Sequence, residues 1–267
     1  MDIAARTALL TGATGGLGRA IAQKLAAEGA TVILSGRREA DLLALAESLA
    51  GEDHRVVVAD LAEDGEAEKL AAAAEGTDIL VANAGLPAAG WLAEFSAEEV
   101  KRALRVNLEA PMLLARALFP PMLERGSGAL VFVSSLSGKS ATPRSAIYNA
   151  TKFGLRGFAL GLRSDLGPRG IGVSLVSPGF VREAGMFAEA GAATPPMMGT
   201  TTPDAVADAV RRAIVDDKVE IAVAPLLDRV AAHAGLISPS IAARASSGSV
   251  GQKSAAAVAD GHSKDKR

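Results

Sequence analysis

The sequence predicts one α/β domain built on a doubly wound sheet of seven mainly parallel strands. Two observations lead to this fold class: short apolar runs alternate with helical patterns along the 267 residues, and a glycine-rich turn links the first run to the first helical pattern. Alternating strands and helices favour parallel pairing with right-handed crossovers. With 49% hydrophobic residues, the chain can bury a large core. We expect residues 1–245 to form this domain.

The predicted elements follow one another in strict alternation. Each strand is a short apolar run, and the first helix repeats apolar residues at Leu17, Ile21 and Leu25. The strands are predicted near residues 6–11, 31–35, 55–59, 78–82, 129–134, 171–176 and 219–223. The helices are predicted near residues 17–28, 39–50, 63–74, 97–117, 146–167 and 203–216.

Two segments depart from this alternation. Residues 184–203 contain Pro195-Pro196 and many small residues, which indicates a mobile loop over a substrate pocket. From about residue 246 to residue 267 the chain is mostly Ser, Ala, Gly and Lys with little apolar periodicity. Such a composition is typical of a disordered C-terminal tail.

A glycine-rich turn follows the first strand and leads into the first helix. It comprises Gly12, Thr14, Gly15, Gly16, Leu17 and Gly18. Glycines allow a tight turn and let the backbone approach a pyrophosphate, while the helix N-terminus offers unpaired N–H groups to an anion. This turn therefore predicts dinucleotide binding, and the alternative is an ordinary turn between strand and helix.

Tyr148 is the single tyrosine of the chain, and Lys152 stands four residues after it. In a helix this spacing puts both side chains on the same face. A phenol normally titrates near pH 10, and an adjacent cation is expected to lower that pKa. The pair is a possible acid–base device, and the alternative is a core tyrosine beside a surface lysine.

Taken together, these residues and several others make the chain resemble the compact branch of the short-chain dehydrogenase/reductase family, which has a Rossmann fold. The match is carried by Thr11-Gly12-x-x-x-Gly16-x-Gly18, Asp60, Asn83-Ala84-Gly85, Asn107, Ser135, Tyr148-x-x-x-Lys152 and Pro178-Gly179. Because residue 15 is also glycine, the turn equally fits the extended branch of epimerases and dehydratases. Only 115 residues follow Lys152, which leaves no room for the second lobe of that branch.

The resemblance implies a catalytic set of Asn107, Ser135, Tyr148 and Lys152. Ser135 would hydrogen-bond the substrate oxygen, and Tyr148 would be the general acid–base. Lys152 would hold the nicotinamide ribose and lower the tyrosine pKa. Asn107 would disturb its helix and anchor a water that leads from Lys152 to solvent.

The resemblance also implies a set of cofactor-binding residues. Asp60 would contact the adenine, Asn83 would stabilise the sheet, and Gly85 would let the cofactor pass close to the backbone. Many relatives have a threonine four residues after the glycine of the Pro-Gly pair, where this chain has Glu183. The full set is Gly12, Thr14, Gly15, Gly16, Leu17, Gly18, Arg37, Arg38, Asp60, Leu61, Asn83, Ala84, Gly85, Tyr148, Lys152, Pro178, Gly179 and Val181.

The residues after the second strand predict NADP(H), with NAD(H) as the alternative. An NAD-type turn places an acidic residue there to bind the ribose 2′-hydroxyl. Here the strand runs into Ser35-Gly36-Arg37-Arg38, so the acid is missing and two guanidinium groups are present. Arginine binds phosphate through bidentate hydrogen bonds. The alternative is that both arginines are the solvated start of the next helix.

Composition narrows the class of protein further. The chain has no cysteine, a formal net charge of −2 and no basic cluster, so it gives no reason to expect thiolate metal sites or nucleic-acid binding. Three scattered histidines predict no metal site. No uncharged apolar run is long enough to span a membrane, and the first strand begins too close to Met1 for a signal peptide. These features suggest a cytoplasmic protein.

We therefore expect an NAD(P)-dependent oxidoreductase that moves hydride between nicotinamide and a small-molecule carbonyl or secondary alcohol. By family analogy it would be a homodimer or homotetramer packed through the helices at 97–117 and 146–167. The two other hypotheses are an extended-type epimerase or dehydratase and a non-catalytic, cofactor-sensing module.

Removing residues 247–267 is expected to leave folding and cofactor binding nearly unchanged. A segment with so few large apolar groups cannot bury enough surface to offset the entropy of ordering it. Thermal denaturation of the truncated protein, with and without cofactor, tests this. A large drop in melting temperature would show that the tail docks on the domain.

Overall fold

Seven parallel strands form the central sheet of the computed structural model, which describes residues 1–189, 199–246 and 256. The described residues form nine strands in all: β1 (Thr7–Thr11), β2 (Thr31–Gly36), β3 (Arg55–Val58), β4 (Ile79–Ala82), β5 (Gly128–Val133), β6 (Ile171–Pro178), β7 (Phe180–Val181), β8 (Thr200–Thr201) and β9 (Glu220–Val223). The order in the sheet is β3-β2-β1-β4-β5-β6-β9, while β7 and β8 form a separate parallel pair. The predicted doubly wound sheet is confirmed. Its order reverses between β1 and β4, where folds of this type bind ligands.

Helices cover both faces of the sheet. They are α1 (Gly16–Ala27), α2 (Glu39–Ser48), α3 (Glu66–Ala73), α4 (Ala97–Leu104), α5 (Ala110–Arg125), α6 (Ala146–Leu166), α7 (Met186–Glu189), α8 (Pro203–Val215), α9 (Leu226–Ile237) and α10 (Pro239–Ser246). Successive strand residues point to opposite faces, so Leu10 joins the core under α1 and α8 while Leu9 joins the core under α3, α5 and α6. Burial on both faces explains why the central strands β4 and β5 are continuous apolar runs.

The predicted helix at 97–117 is longer and less regular than expected. α4 and α5 are joined by a π-helical turn over Arg105–Glu109, and α5 continues to Arg125 through Pro120 and Pro121. The prediction ended too early because proline usually stops a helix. Asn107 lies inside the π turn and is buried, which fits the expected disturbance of the helix around this residue.

Other boundaries also differ from the prediction. α3 begins at Glu66 rather than residue 63, because Gly65 before it adopts a left-handed conformation with φ of 77°. α9 and α10 were not predicted. Pro225 and Pro239 stand at the starts of these two helices, and proline inside a segment usually indicates a turn. The apolar residues Leu226, Val230 and Ile237 follow a helical period that would have revealed α9.

Two short elements lie near the ends of the segment that is predicted as a loop, residues 184–203. Met186–Glu189 form the short helix α7, and Thr200–Thr201 form strand β8, which pairs with β7. The rest of that loop, residues 190–198, lies outside the described residues. The predicted tail also lies outside them, apart from Ser246 at the end of α10 and the helical residue Ala256.

Candidate active site

The carboxyl ends of β1 and β4 are held together by side-chain hydrogen bonds. The Asn83 amide nitrogen Nδ2 donates to the carbonyl oxygens of Thr11 at 3.0 Å and Gly12 at 3.2 Å. In return, Thr11 Oγ1 accepts the backbone N–H groups of Asn83 and Ala84, each at 3.0 Å. These bonds fix the glycine-rich turn against the loop that follows β4. Thr11 belongs to the glycine motif, but its role as the acceptor at this junction was not predicted.

Gly12 and Gly18 of the glycine-rich turn have no room for a side chain. A Cβ atom on Gly18 would lie 2.2 Å from the Gly12 carbonyl oxygen, and Gly12 itself has a φ of 64°. α1 begins at Gly16 with no acidic residue in its first turn and no side-chain cap on its N–H groups. Such a helix N-terminus favours a negatively charged group.

Ser135, Tyr148 and Lys152 converge beyond the end of β5. Ser135 follows β5 in an extended conformation, and its hydroxyl accepts the Ser137 N–H at 3.1 Å. The Tyr148 phenol lies in the first turn of α6, beside the Ser135 side chain. One turn later, the Lys152 ammonium donates to the Val133 carbonyl at 3.0 Å and lies 5.6 Å from the centre of the Tyr148 ring.

Burial sets the protonation of both groups. It raises the pKa of Tyr148 to about 12, partly opposed by the Ser135 hydrogen bond, and it lowers the pKa of Lys152 to about 8. Burial therefore sets the net direction of the Tyr148 pKa shift, and the expected lowering by Lys152 stays a prediction. The sequence gives the spacing of the two groups, but the depth of their burial decides the direction of the shift. Near neutral pH the phenol therefore keeps its proton.

Asn107 connects the loop after β4 to α6. Its Oδ1 accepts the Leu86 N–H at 2.6 Å, and its Nδ2 donates to the Leu86 carbonyl at 2.9 Å and to Thr151 Oγ1 at 3.4 Å. Its side chain also borders Gly85, where an added Cβ would lie 3.4 Å from Asn107 Oδ1 and 4.0 Å from Lys152 Nζ. Thr151 is a site residue that the sequence analysis missed, although its place between Tyr148 and Lys152 was a signal.

The two arginines after β2 differ in their surroundings. Arg38 is the N-cap of α2, and its guanidinium group pairs with Asp41 in the first turn of that helix. Arg37 is 53% exposed and lies 4.0 Å from Asp60 Oδ2. Asp60 also accepts the Ala62 N–H at 3.0 Å, while its neighbour Leu61 is buried. Arg38 thus lies at the start of a helix and is paired there, as the alternative interpretation of the two arginines expected. Arg37 is the arginine that lies beside Asp60.

The segment after β6 crosses towards the glycine-rich turn. The Gly179 N–H donates to the Val223 carbonyl at 3.0 Å, and Val181 is buried in the pairing of β7 with β8. The Glu183 carboxylate accepts from Arg182 at 2.9 Å, with a strained φ of 71° at Glu183. Beyond it, Ala184 lies against Gly16, and Met186 Cε lies 3.3 Å from the position of a Cβ on Gly85. These contacts of Ala184 and Met186 were not predicted.

Among residues 1–189, 199–246 and 256, no helix is long and apolar enough to cross a membrane. Within the same part of the chain, no group of three or more His, Asp or Glu side chains is arranged to hold a metal ion.

The free energy of unfolding is expected to rise with pH above about 8 because of Lys152. The folded protein releases this proton near pH 8 and the unfolded chain near pH 10.5, so between these values the unfolded state binds more protons. Between about pH 8 and 9.5, the free energy of unfolding of the wild type should increase by up to about 2 kcal/mol relative to that of Lys152→Met. Urea denaturation measures this difference, with Lys218→Met as the control for an exposed lysine. A difference that does not change with pH would contradict the burial argument.

Comparisons with known proteins agree with the fold and the motifs. The family model described as short chain dehydrogenase matches residues 6–194. Ketoacyl reductase HetN of Nostoc sp. is 35% identical over 82% of this chain and 78% of that protein. A variant of actinorhodin polyketide ketoreductase with NADPH superposes with a TM-score of 0.76 and 30% identity, over 87% of this chain and 97% of that chain. A short-chain dehydrogenase from Sphingobium yanoikuyae in complex with NADPH superposes with a TM-score of 0.76 and 27% identity, over 91% of this chain and 96% of that chain. The chain is a member of the short-chain dehydrogenase/reductase family of oxidoreductases.

Proposed function

We propose that this protein is an NADPH-dependent reductase that transfers hydride to a ketone and releases a secondary alcohol. The observation that carries the proposal is the group of Ser135, Tyr148 and Lys152 at the end of β5, beside the glycine-rich turn. The Ser135 hydroxyl lies beside the phenol, and the buried Lys152 ammonium lies one helical turn away. This group can polarise a carbonyl and deliver a proton to its oxygen.

The residues of the groove fit a nicotinamide dinucleotide. The uncapped N-terminus of α1 suits a pyrophosphate, and the close packing of Gly12 and Gly18 lets the backbone approach it. Beyond β2, Arg37 stands at the corner where the adenosine ribose would lie, and the Lys152 ammonium lies near Gly85 on the nicotinamide side. When bound, the cofactor supplies the hydride, so the protein supplies binding, orientation and proton transfer.

The protein's own groups complete the protonic half of the reaction. The Ser135 hydroxyl holds the carbonyl oxygen next to the Tyr148 phenol, which is protonated at neutral pH and donates its proton to that oxygen. The buried Lys152 ammonium then stabilises the phenolate by its charge. The reverse proton transfer serves alcohol oxidation.

A panel of carbonyl compounds assayed by NADPH absorbance tests the function. The printed activities of two relatives, a ketoacyl reductase and a polyketide ketoreductase, make 3-ketoacyl thioesters the first compounds to test. Simple ketones, sugars and nucleotide sugars complete the panel. Turnover of ketones supports the proposal, and turnover confined to nucleotide sugars would favour an epimerase or dehydratase.

We also propose that the protein forms a homodimer or homotetramer in the cytoplasm. The two segments expected at the interface, residues 97–117 and 146–167, contain α4, the start of α5, and α6. Each of these helices carries a partly exposed apolar side chain: Leu104 on α4, Met112 on α5 and Phe153 on α6 are 38%, 36% and 40% exposed. Burial of these side chains against a second copy would remove them from water. Sedimentation or light scattering of the purified protein measures the oligomeric state.

Tyr148→Phe is expected to lower kcat by orders of magnitude and to change cofactor affinity only a few fold. The substitution removes the proton donor and keeps the aromatic ring in place. Lys152→Ala should reduce both kcat and cofactor affinity, because the ammonium has two roles. Steady-state kinetics and cofactor titration measure these effects. Substantial activity in purified Tyr148→Phe protein would contradict the mechanism. Cofactor binding without turnover in both the wild type and the variant would indicate a cofactor-sensing module.

Arg37→Ile is expected to weaken NADPH binding by about tenfold or more, which is the loss of one charge-assisted phosphate contact, while NADH binding stays nearly constant. Adding Gly36→Asp should then favour NADH. A Cβ on Gly36 would meet Thr14 and Leu42 only at 3.6 Å and 3.7 Å, so the aspartate fits. Arg38→Ile is the matched control, because Arg38 already pairs with Asp41. Wild-type protein that binds both cofactors equally, or NADH better, would contradict the role of Arg37.

A further inference from the structure

We propose that Thr151 is a positioning residue, whose hydroxyl connects Asn107 to the helical turn that carries Tyr148 and Lys152. This inference rests on the proposed function, since it concerns the geometry of the same acid–base pair. Thr151 is fully buried, and its side chain points towards the π turn between α4 and α5.

The Thr151 hydroxyl makes two hydrogen bonds of opposite sense. Oγ1 donates to the Tyr148 carbonyl at 2.7 Å and accepts from Asn107 Nδ2 at 3.4 Å. A threonine hydroxyl has one proton and two acceptor lone pairs, so it can make both bonds at once. Valine has nearly the same shape and can make neither.

The Asn107 amide that contacts Thr151 has its orientation fixed by Leu86. Asn107 Oδ1 accepts the Leu86 N–H, and one Nδ2 proton goes to the Leu86 carbonyl, so the second Nδ2 proton is directed to Thr151. The result is a continuous path of hydrogen bonds from the loop after β4, through the π turn, to the backbone of α6. All of these side chains are buried, where a lost partner leaves a polar group without water to replace it.

The path ends on the carbonyl of Tyr148 itself. In an α-helix this carbonyl also accepts the N–H group four residues later, which here belongs to Lys152. Thr151 therefore hydrogen-bonds a carbonyl of the helical turn that separates Tyr148 from Lys152. A shift of this turn would move the phenol relative to Ser135, and small displacements of reacting groups have large effects on rate.

An ordinary helical hydroxyl in the same helix provides the comparison. Ser164 Oγ donates to the Leu160 carbonyl at 3.2 Å, which is the common bond of a serine or threonine to the preceding turn. Ser164 is exposed and lies three turns beyond Lys152. Loss of its hydroxyl removes a bond of the same kind, without the contact to Asn107.

The test compares Thr151→Val, Thr151→Ser and Ser164→Ala with the wild type. Two quantities are measured for each protein: kcat and KM for NADPH with an active ketone, and the pH titration of tyrosinate ultraviolet absorbance. The second needs no turnover. Because Tyr148 is the single tyrosine of the chain, the absorbance reports this phenol alone. Melting temperatures are recorded to compare folding.

We expect Thr151→Val to lower kcat by about tenfold or more with KM for NADPH within a few fold, as a misplaced proton donor would. The tyrosinate titration should shift in the same variant. Thr151→Ser should restore both properties, and Ser164→Ala should leave both unchanged. If Thr151→Val does not fold, Thr151→Ala removes the same hydroxyl with less steric change and is expected to give the same pattern.

Two results would overturn the proposal. One is wild-type kcat and an unshifted tyrosinate titration in a folded Thr151→Val or Thr151→Ala protein. The other is a Thr151→Ser protein as impaired as Thr151→Val, which would show that volume rather than the hydroxyl matters. If the wild type reduces no ketone at all, the proposed function fails, and the titration still decides the role of Thr151.

Discussion

The hydrogen bonds between Asn83 and Thr11 are the interaction on which the geometry of the site depends. They join the ends of β1 and β4, the two strands between which the order of the sheet reverses. At such a point the following loops separate and leave a crevice. By fixing the glycine-rich turn to the loop after β4, Asn83 sets the relative positions of the residues at the base of that crevice. The positions of Gly12 on one side and Gly85 on the other follow from this junction.

Burial is the second constraint, and it explains the protonation of the site. Tyr148 and Lys152 are held in a part of the molecule where charge is costly, so each group favours its neutral form more than it does in water. The two shifts have opposite directions, because the neutral phenol keeps its proton and the neutral amine has lost one. The close packing of Asn107, Thr151 and Leu86 maintains this environment with paired polar groups. A site of this kind strengthens electrostatic interactions with a substrate that enters it.

The sequence was sufficient for the sheet and for the placement of the main motifs, because apolar runs and glycine turns are local signals. It did not predict α9, whose periodic residues Leu226, Val230 and Ile237 lie between two prolines. It could not give the net direction of the Tyr148 pKa shift, since spacing along a helix carries no information about depth. The pairing of Arg38 with Asp41 was visible as a three-residue spacing at a helix start. The junction of Thr11 with Asn83 joins residues 72 positions apart, and no local pattern indicates it.

The π turn at Arg105–Glu109 also fixes the length of the chain in this region. Its hydrogen bonds enclose one residue more than those of an α-helix, and each helical residue corresponds to a rotation of about 100°. This extra residue lets Ala103 on α4 face Ile147 and Tyr148, while Leu114 on α5 faces the sheet. Deleting a single residue here would turn one of these two faces away from its partner.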